Sequence, residues 1–294
     1  VIYAIASGKG GTGKTTVASS LVSLWDRPVT AVDLDVEEPN LHLFLKPDIS
    51  RTDPAFIEIP EADESKCTLC RACSTLCQFK AITVMGDTLL IFPEMCHGCG
   101  GCLAVCPEGA LTPGRRQLGE ICHGQAGNAR FIMGRLRVGE AMSPPLMRQV
   151  KALFADIIAE NDQADIIVDA PPGVSCPAVS AVIDADCIVL VTEPTPFGFH
   201  DFKLAWEAFS PFDIPMGAVI NRAGIGDDTV KRFCENKGIP IWAEIPFDRA
   251  IAEAYSRGEV VAQALAPLKE TFHQLRRAMR QAAQTRQEAA ACAK

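Results

Sequence analysis

No apolar run in the 294 residues is long enough to cross a bilayer, so a transmembrane helix is excluded. Positive charge is also short. Lys and Arg number 28 against 36 Asp and Glu, a formal net charge of −8. A surface this acidic argues against a protein that grips nucleic acid mainly by electrostatics. There is no C-x₂-C pair outside one cysteine-rich stretch. No signal peptide is expected, because the strand-like VIYAIA at the start runs at once into a glycine-rich loop. Residue 1 is Val. The expected location is the cytoplasm.

What is present is a large apolar fraction, 48% of residues, enough to bury a sizeable core. The apolar runs VIYAIAS (1–7), PVTAVDLD (28–35), ADIIVDA (164–170), CIVLVTE (187–193), PMGAVIN (215–221) and PIWAEIP (240–246) read as buried strands. Helical spacing lies between them, as at 145–160, 199–209 and 227–237. Apolar strands alternating with helices predict an α/β fold, a mostly parallel sheet covered by helices on both faces. The rhythm breaks between Glu61 and Pro113, where Cys, Gly and short elements take over. The expected organisation is a first domain part at 1–60, an inserted domain at 61–113 and the remainder of the first domain at 114–294. Inside the insert, CTLCRACSTLCQFKAI (67–82) repeats as CHGCGGCLAVCPEGAL (96–111).

The segment Gly8-Lys9-Gly10-Gly11-Thr12-Gly13-Lys14-Thr15-Thr16 contains G-x-x-x-x-G-K-[ST] between a predicted strand and a predicted helix. Glycines there let backbone N–H groups close around phosphates, and the helix N-terminus adds its dipole. Lys14 is placed to reach the β- and γ-phosphates, and the Thr15 hydroxyl to bind Mg²⁺.

The second lysine of the loop, Lys9, makes the motif K-G-G-x-G-K-[ST]. This resembles the deviant phosphate loop of the MinD/Mrp family of P-loop ATPases, which also includes ParA and the nitrogenase iron protein. The resemblance covers nearly all of the chain outside the cysteine insert. It implies ATP and Mg²⁺ as ligands, ATP hydrolysis, and a nucleotide-dependent homodimer in which Lys9 reaches the partner's nucleotide. Asp33-Leu34-Asp35 resembles the first switch, with Asp35 orienting the attacking water and Asp33 serving as a strand-end cap. Asp169-Ala-Pro-Pro-Gly173 resembles the second switch. On that resemblance Asp169 holds the Mg²⁺ shell and the Gly173 N–H meets the γ-phosphate. Asn221 and Pro246 resemble the segments that contact adenine.

In the insert, Cys67-x₂-Cys70-x₂-Cys73-x₃-Cys77 and Cys96-x₂-Cys99-x₂-Cys102-x₃-Cys106-Pro107 match the bacterial two-cluster ferredoxin pattern. The fourth cysteine of each run serves the other site. Cys67, Cys70, Cys73 and Cys106 would hold one [4Fe–4S] cluster, and Cys96, Cys99, Cys102 and Cys77 the other. Gly98, Gly100 and Gly101 let the backbone wrap closely. Gln78 stands where the pattern usually has Pro. Two zinc sites are the competing metal reading, although zinc pairs C-x₂-C knuckles.

Of the five other cysteines, Cys187 and Cys234 are expected in the core. Packing is the expectation for Cys176, a loop for Cys122-His123, and a frayed tail for Cys292. Near the C-terminus, Leu268, Phe272, Leu275 and Met279 share one helical face. A helix docked on its own domain is expected there, against the alternative of a membrane-binding helix.

The expected function is therefore that of an ATP-dependent iron–sulfur protein, either gating electron transfer or assembling and delivering clusters. The alternative is a MinD-like regulatory or positioning ATPase that senses redox state. The expected partners are a second copy of the chain and a protein redox or cluster acceptor.

Overall fold

The computed structural model describes residues 1–160 and 164–292, with side chains up to residue 289. It divides into two compact units. The first comprises Val1–Thr52, Ile121–Arg135 and Met147–Lys294, and the second Asp53–Glu120 with Leu136–Leu146. The cysteine-rich residues 61–113 all fall in the second unit.

The strands in chain order are β1 (Ile2–Ala6), β2 (Val29–Asp33), β3 (Asp48–Ala62), β4 (Ile82–Met85), β5 (Thr88–Ile91), β6 (Leu111–Ala126), β7 (Ala129–Leu136), β8 (Asp165–Asp169), β9 (Cys187–Thr192), β10 (Met216–Ala223) and β11 (Ile241–Pro246). The helices are α1 (Lys14–Ser23), α2 (Leu41–Leu45), α3 (Ala72–Leu76), α4 (Gly101–Val105), α5 (Ser143–Glu160), α6 (Cys176–Val182), α7 (Pro196–Phe209), α8 (Thr229–Lys237), α9 (Arg249–Ser256), α10 (Val261–Ala264) and α11 (Ala266–Cys292). The main sheet has the order β11-β10-β9-β1-β8-β2-β7-β6-β3. Every pairing from β11 to β7 is parallel.

The predicted apolar runs at β1, β2, β8 and β9 lie inside this sheet because both of their faces are covered, whereas the run at 240–246 forms the edge strand β11 and is only partly buried. All residues of β2, β8 and β9 are buried. Successive side chains alternate between faces. Tyr3, Ile5, Val189 and Val191 share one core with Val17 and Leu21 of α1 and Phe272, Leu275 and Met279 of α11. The C-terminal helix is thus docked on its own domain, as its spacing predicts. Its arginines are used as well: Arg276 and Arg280 pair with Asp26, and Arg280 lies over the Trp25 ring at 4.8 Å. Among the described residues no helix is long and apolar enough to cross a membrane.

Two expectations need correction. Cys122-His123 lies within strand β6, and Cys122 is buried in the core that contains Tyr3 and Phe131. The Gly and charged residues around it hide the strand from a reading based on continuous apolar runs, because β6 alternates instead. A turn at Gly127-Asn128 returns the chain into β7. Cys176, expected to be packed, is exposed at the first position of α6. Cys187 and Cys234 are core thiols as expected, and burial pushes them up to about 12 and about 11. The side chain of Cys292 lies outside the described residues.

In the second unit β4 and β5 form an antiparallel pair. Two small cores lie in this unit, formed by its short elements and by β3 and β6, and cysteines are part of both. One contains Ile57, Ile59, Ala81, Cys96 and Leu118; the other contains Cys73, Ile82 and Leu111.

Candidate functional site: a phosphate loop and two cysteine cavities

The loop after β1 ends at Gly13, whose left-handed backbone (φ 102°) caps α1. An L side chain is strained in that conformation. A Cβ at Gly13 would also strike the Asn221 amide, and one at Gly8 would overlap the Asp201 carbonyl on α7. The loop is therefore clamped from two sides by close backbone approach. A cavity of about 380 Å³ opens over it. Gly10, Gly11, Gly13, Lys14, Thr15 and Thr16 line it from the loop, and Asp35, Asn221 and Pro246 line it from other strand ends. Gly8, Lys9, Thr12, Asp169 and Gly173 are not on this wall.

Three carboxylates gather at the C-terminal ends of β2 and β8. Such ends open into the ligand crevice of a parallel sheet. Asp33 accepts the N–H groups of Asp35 (3.1 Å) and Leu41 (2.9 Å), so it shapes the loop between β2 and α2. Burial and the neighbouring Asp169 raise its pKa well above the usual range. Asp35 is raised to about 6, chiefly by burial, with Lys14 pulling it down. Asp169 is also raised to about 6 by burial, against the charge of Lys14 and a hydrogen bond from Thr15. Asp169 Oδ1 is buried without a hydrogen-bond partner. An orphaned carboxylate oxygen beside a threonine hydroxyl is the donor set a hard cation such as Mg²⁺ takes, and the cation would remove the desolvation penalty.

The segment from Asp169 to Gly173 reaches back to the residue before the phosphate loop. The Gly173 N–H donates to the Ser7 carbonyl at 2.9 Å, with Gly173 at φ 92°. Asn221 Nδ2 donates to the Thr12 carbonyl at 2.8 Å, and its Oδ1 accepts the Arg222 N–H. Asn221 thus braces the loop in addition to lining the cavity. Lys9 is held inside its own chain: its Nζ lies 2.7 Å from Glu193 Oε1. Sequence reasoning missed Glu193, and also Arg222, Phe247 and Tyr255, which line the cavity. Glu193 directly follows β9 (Cys187–Thr192), and a carboxylate at a strand's C-terminal end is the signal that could have found it.

The cysteine insert holds two further cavities. One, of about 280 Å³, is lined by Cys77, Cys96, Cys99 and Cys102. The other, about 20 Å³ and in need of widening by any bound group, is lined by Cys67, Cys70, Cys73 and Cys106. Each cavity brings together three cysteines of one run and the last cysteine of the other. The two runs also share backbone geometry. Leu69, Arg71 and Lys80 in the first have φ of 55°, 65° and 56°, and Gly98, Gly100 and Gly109 in the second have 63°, 69° and 57°. Amides point at sulfur in the second run, from Gly98 to Cys96 Sγ (3.4 Å) and from Ala110 to Cys106 Sγ (3.3 Å). Among the described residues no three His, Cys, Asp or Glu side chains converge tightly enough for a single metal ion.

The profile of the CobQ/CobB/MinD/ParA nucleotide binding domain matches residues 3–261. An uncharacterised protein of Methanocaldococcus jannaschii, MJ0579, is 31% identical over 262 residues, covering 88% of this chain and 90% of that protein. The fold is similar to that of the septum site-determining protein MinD with Mg-ADP from Pyrococcus horikoshii (21% identity, 93% of each chain, TM-score 0.53). It is also similar to a chain of the MinC:MinD cell division protein complex of Aquifex aeolicus (16% identity, 95% of each chain, TM-score 0.55). The first unit is an α/β P-loop fold with a mostly parallel sheet, like MinD. With its phosphate loop, strand-end carboxylates and profile match over most of its length, the chain belongs to the CobQ/CobB/MinD/ParA nucleotide-binding family.

Proposed function

We propose that the protein is an ATP-binding and ATP-hydrolysing switch that works as a nucleotide-dependent homodimer and carries two resident [4Fe–4S] clusters. The observation that carries the iron–sulfur part is the crossed composition of the two cysteine cavities, Cys77 with Cys96, Cys99 and Cys102, and Cys106 with Cys67, Cys70 and Cys73. Crossed ligation is what two interleaved four-iron sites require. A four-iron cubane spreads its thiolates around itself, so the relevant arrangement is a ring of four sulfurs wider than a single-ion site. When bound, the clusters would supply one-electron storage. The chain's own residues supply the thiolates, the Gly98 and Ala110 amides that moderate sulfur charge, and the apolar walls that limit water.

Residence in place of transfer is supported by burial. Cys73 and Cys96 are integral to the two small cores of the second unit, so releasing a cluster would disturb that packing. This favours redox work over delivery. In the nucleotide site Lys14 and the loop amides hold the phosphates, Thr15 and Asp169 hold Mg²⁺, and Asp35 orients the attacking water. The Gly173 N–H leaves the Ser7 carbonyl to meet a γ-phosphate. Asn221 and Pro246 flank the base. The net charge of −8 directs the search for an acceptor toward a protein and away from nucleic acid. The apolar face of α11, Leu268, Phe272, Leu275 and Met279, is buried in its own domain and not presented to a membrane. The proposed location is the cytoplasm.

Anaerobic protein should contain about eight irons and about eight acid-labile sulfides per chain. Zinc without labile sulfide would overturn the cluster assignment. Loading with ⁵⁵Fe separates the two kinds of work. Iron that stays while electrons pass to an acceptor supports the redox reading, and ATP-dependent movement of iron to an apo-acceptor supports delivery.

A further inference from the structure

We propose that Glu193 is a positioning residue, an intrachain latch that parks Lys9 in the separate chain and must release it for the ATP-dependent dimer to form. The proposal rests on the dimeric-switch reading above. Its basis is a three-point hold on one nearly buried carboxylate. Glu193 Oε1 accepts from Lys9 Nζ at 2.7 Å and from Thr195 Oγ1 at 3.2 Å. Glu193 Oε2 accepts from Arg222 Nη1 at 2.8 Å. The side chain of Glu193 is 7% exposed and that of Lys9 29%.

Charge-assisted bonds of this length to a nearly buried carboxylate hold an otherwise flexible lysine in one pose. That pose is directed into its own chain: Lys9 does not line the nucleotide cavity, and its ammonium sits on the strand end that follows β9. A Lys9 that reaches a second chain must swing away from it. Only the side chain has to move, because the Lys9 carbonyl is tied by the Ser7 hydroxyl at 2.6 Å.

The arrangement is built to open. Removing one partner of a buried pair is normally costly because it strands a charge. Here Glu193 keeps Arg222 and Thr195 when Lys9 leaves, so no buried carboxylate is left alone. Arg222 also lines the nucleotide cavity. The same carboxylate therefore touches both the phosphate-loop lysine and a group beside the base. Nucleotide that draws on Arg222 or Lys9 alters how Glu193 shares its charge between them.

Two measurements test this. The first needs no variant and no dimer: lysine acetylation of the nucleotide-free chain, read residue by residue by mass spectrometry. Lys9 should react roughly tenfold more slowly than the exposed Lys269, and Glu193→Gln should remove most of that protection. Equal reactivity of Lys9 and Lys269 in the unaltered chain overturns the latch, whatever the fate of the dimer. The second uses sedimentation with Mg-ATP in the Asp35→Ala background. Adding Glu193→Gln should lower the protein concentration for half-dimerisation by roughly tenfold. Glu193→Asp, which keeps the charge, should lie between, and Glu270→Gln, a remote change of the same charge, should have no such effect. Weaker dimerisation with Glu193→Gln would mean that Glu193 presents Lys9 to the partner and would overturn the proposal. Asp35→Ala protein that never dimerises would instead overturn the dimeric-switch reading, and the latch with it.

Discussion

Arg71 and Gly100 hold the same left-handed backbone, φ 65° and ψ 5° against φ 69° and ψ −6°, each as the residue that caps a five-residue helix in the cysteine insert. The repeat in sequence is thus a repeat in conformation. One copy places glycine where the conformation is easy, and the other holds it with an arginine.

That difference predicts opposite effects for exchanging the two residue types. The left-handed region costs an ordinary L-residue about 1 kcal/mol relative to glycine. Arg71 is exposed, so little packing is lost with it. Arg71→Gly should raise stability by up to about 1 kcal/mol, and Gly100→Ala should lower it by about the same amount. The space around a Cβ at Gly100 is open, so the loss would report backbone strain and not a clash. Urea denaturation of the anaerobic protein measures both.

The crossed cavities predict separable clusters. Cys67→Ala should remove one four-iron cluster and spare the other, and Cys96→Ala should do the converse. Each variant should therefore retain about half the iron and sulfide. Loss of all iron from both variants would show that the sites do not form independently.

In the nucleotide site the carboxylate and the lysine should fail differently. Asp35→Ala leaves the phosphate cradle intact, so ATP affinity should stay while hydrolysis falls by about 100-fold or more. Lys14→Ala removes a charge on the phosphates and should weaken binding itself. Equilibrium binding beside single-turnover hydrolysis separates the two effects. Hydrolysis by Asp35→Ala at the unaltered rate would remove Asp35 from its assigned role.

Lys9 should matter for association more than for binding. Lys9→Ala should still bind one ATP per chain, because Lys14 and the loop amides remain. The Asp35→Ala chain should be trapped as a dimer by Mg-ATP, and Lys9→Ala/Asp35→Ala should stay monomeric by sedimentation. A double variant that dimerises as well as Asp35→Ala would refute contact of Lys9 with the partner's nucleotide.

The buried carboxylates predict a trade of stability for function. Burial raises Asp169 to about 6, above the ordinary carboxylate value, so between about pH 4 and pH 6 the folded chain binds more protons than the unfolded one. Stability from this group is present at low pH and is lost as pH rises through that window. Asp169→Asn abolishes this penalty. The nucleotide-free variant should therefore gain on the unaltered chain as pH rises from about 4 to about 7, reaching up to about 3 kcal/mol, and level off above. With Mg-ATP the order should reverse, since the cation needs the carboxylate. Denaturation curves across this pH range, with and without Mg-ATP, give the comparison.

Much of the architecture was legible in local sequence. The runs at β1, β2, β8 and β9 have continuous apolar centres, with polar residues mainly at their ends, because both faces of each strand are covered, and such runs are visible without a structure. Phosphate-loop chemistry was legible for a related reason: the glycines and Lys14 act through a contiguous backbone turn, and contiguity survives in a linear reading. The cysteine runs were legible because ligand spacing on a tight loop is itself a local constraint. Strands β6 and β7 were not, since their alternating and charged residues lack a continuous apolar signal, and Cys122 was misjudged with them.

Sequence by itself determined which residues could carry phosphate, Mg²⁺ or thiolate chemistry. Only the tertiary structure decided which of them meet. It joined Asn221 to Thr12 and paired Lys9 with Glu193. The physical reason is that these contacts close between residues far apart in the chain. Their geometry depends on strand order and on burial, which sets the charge of Asp35 and Asp169, and neither is written in any local stretch of residues.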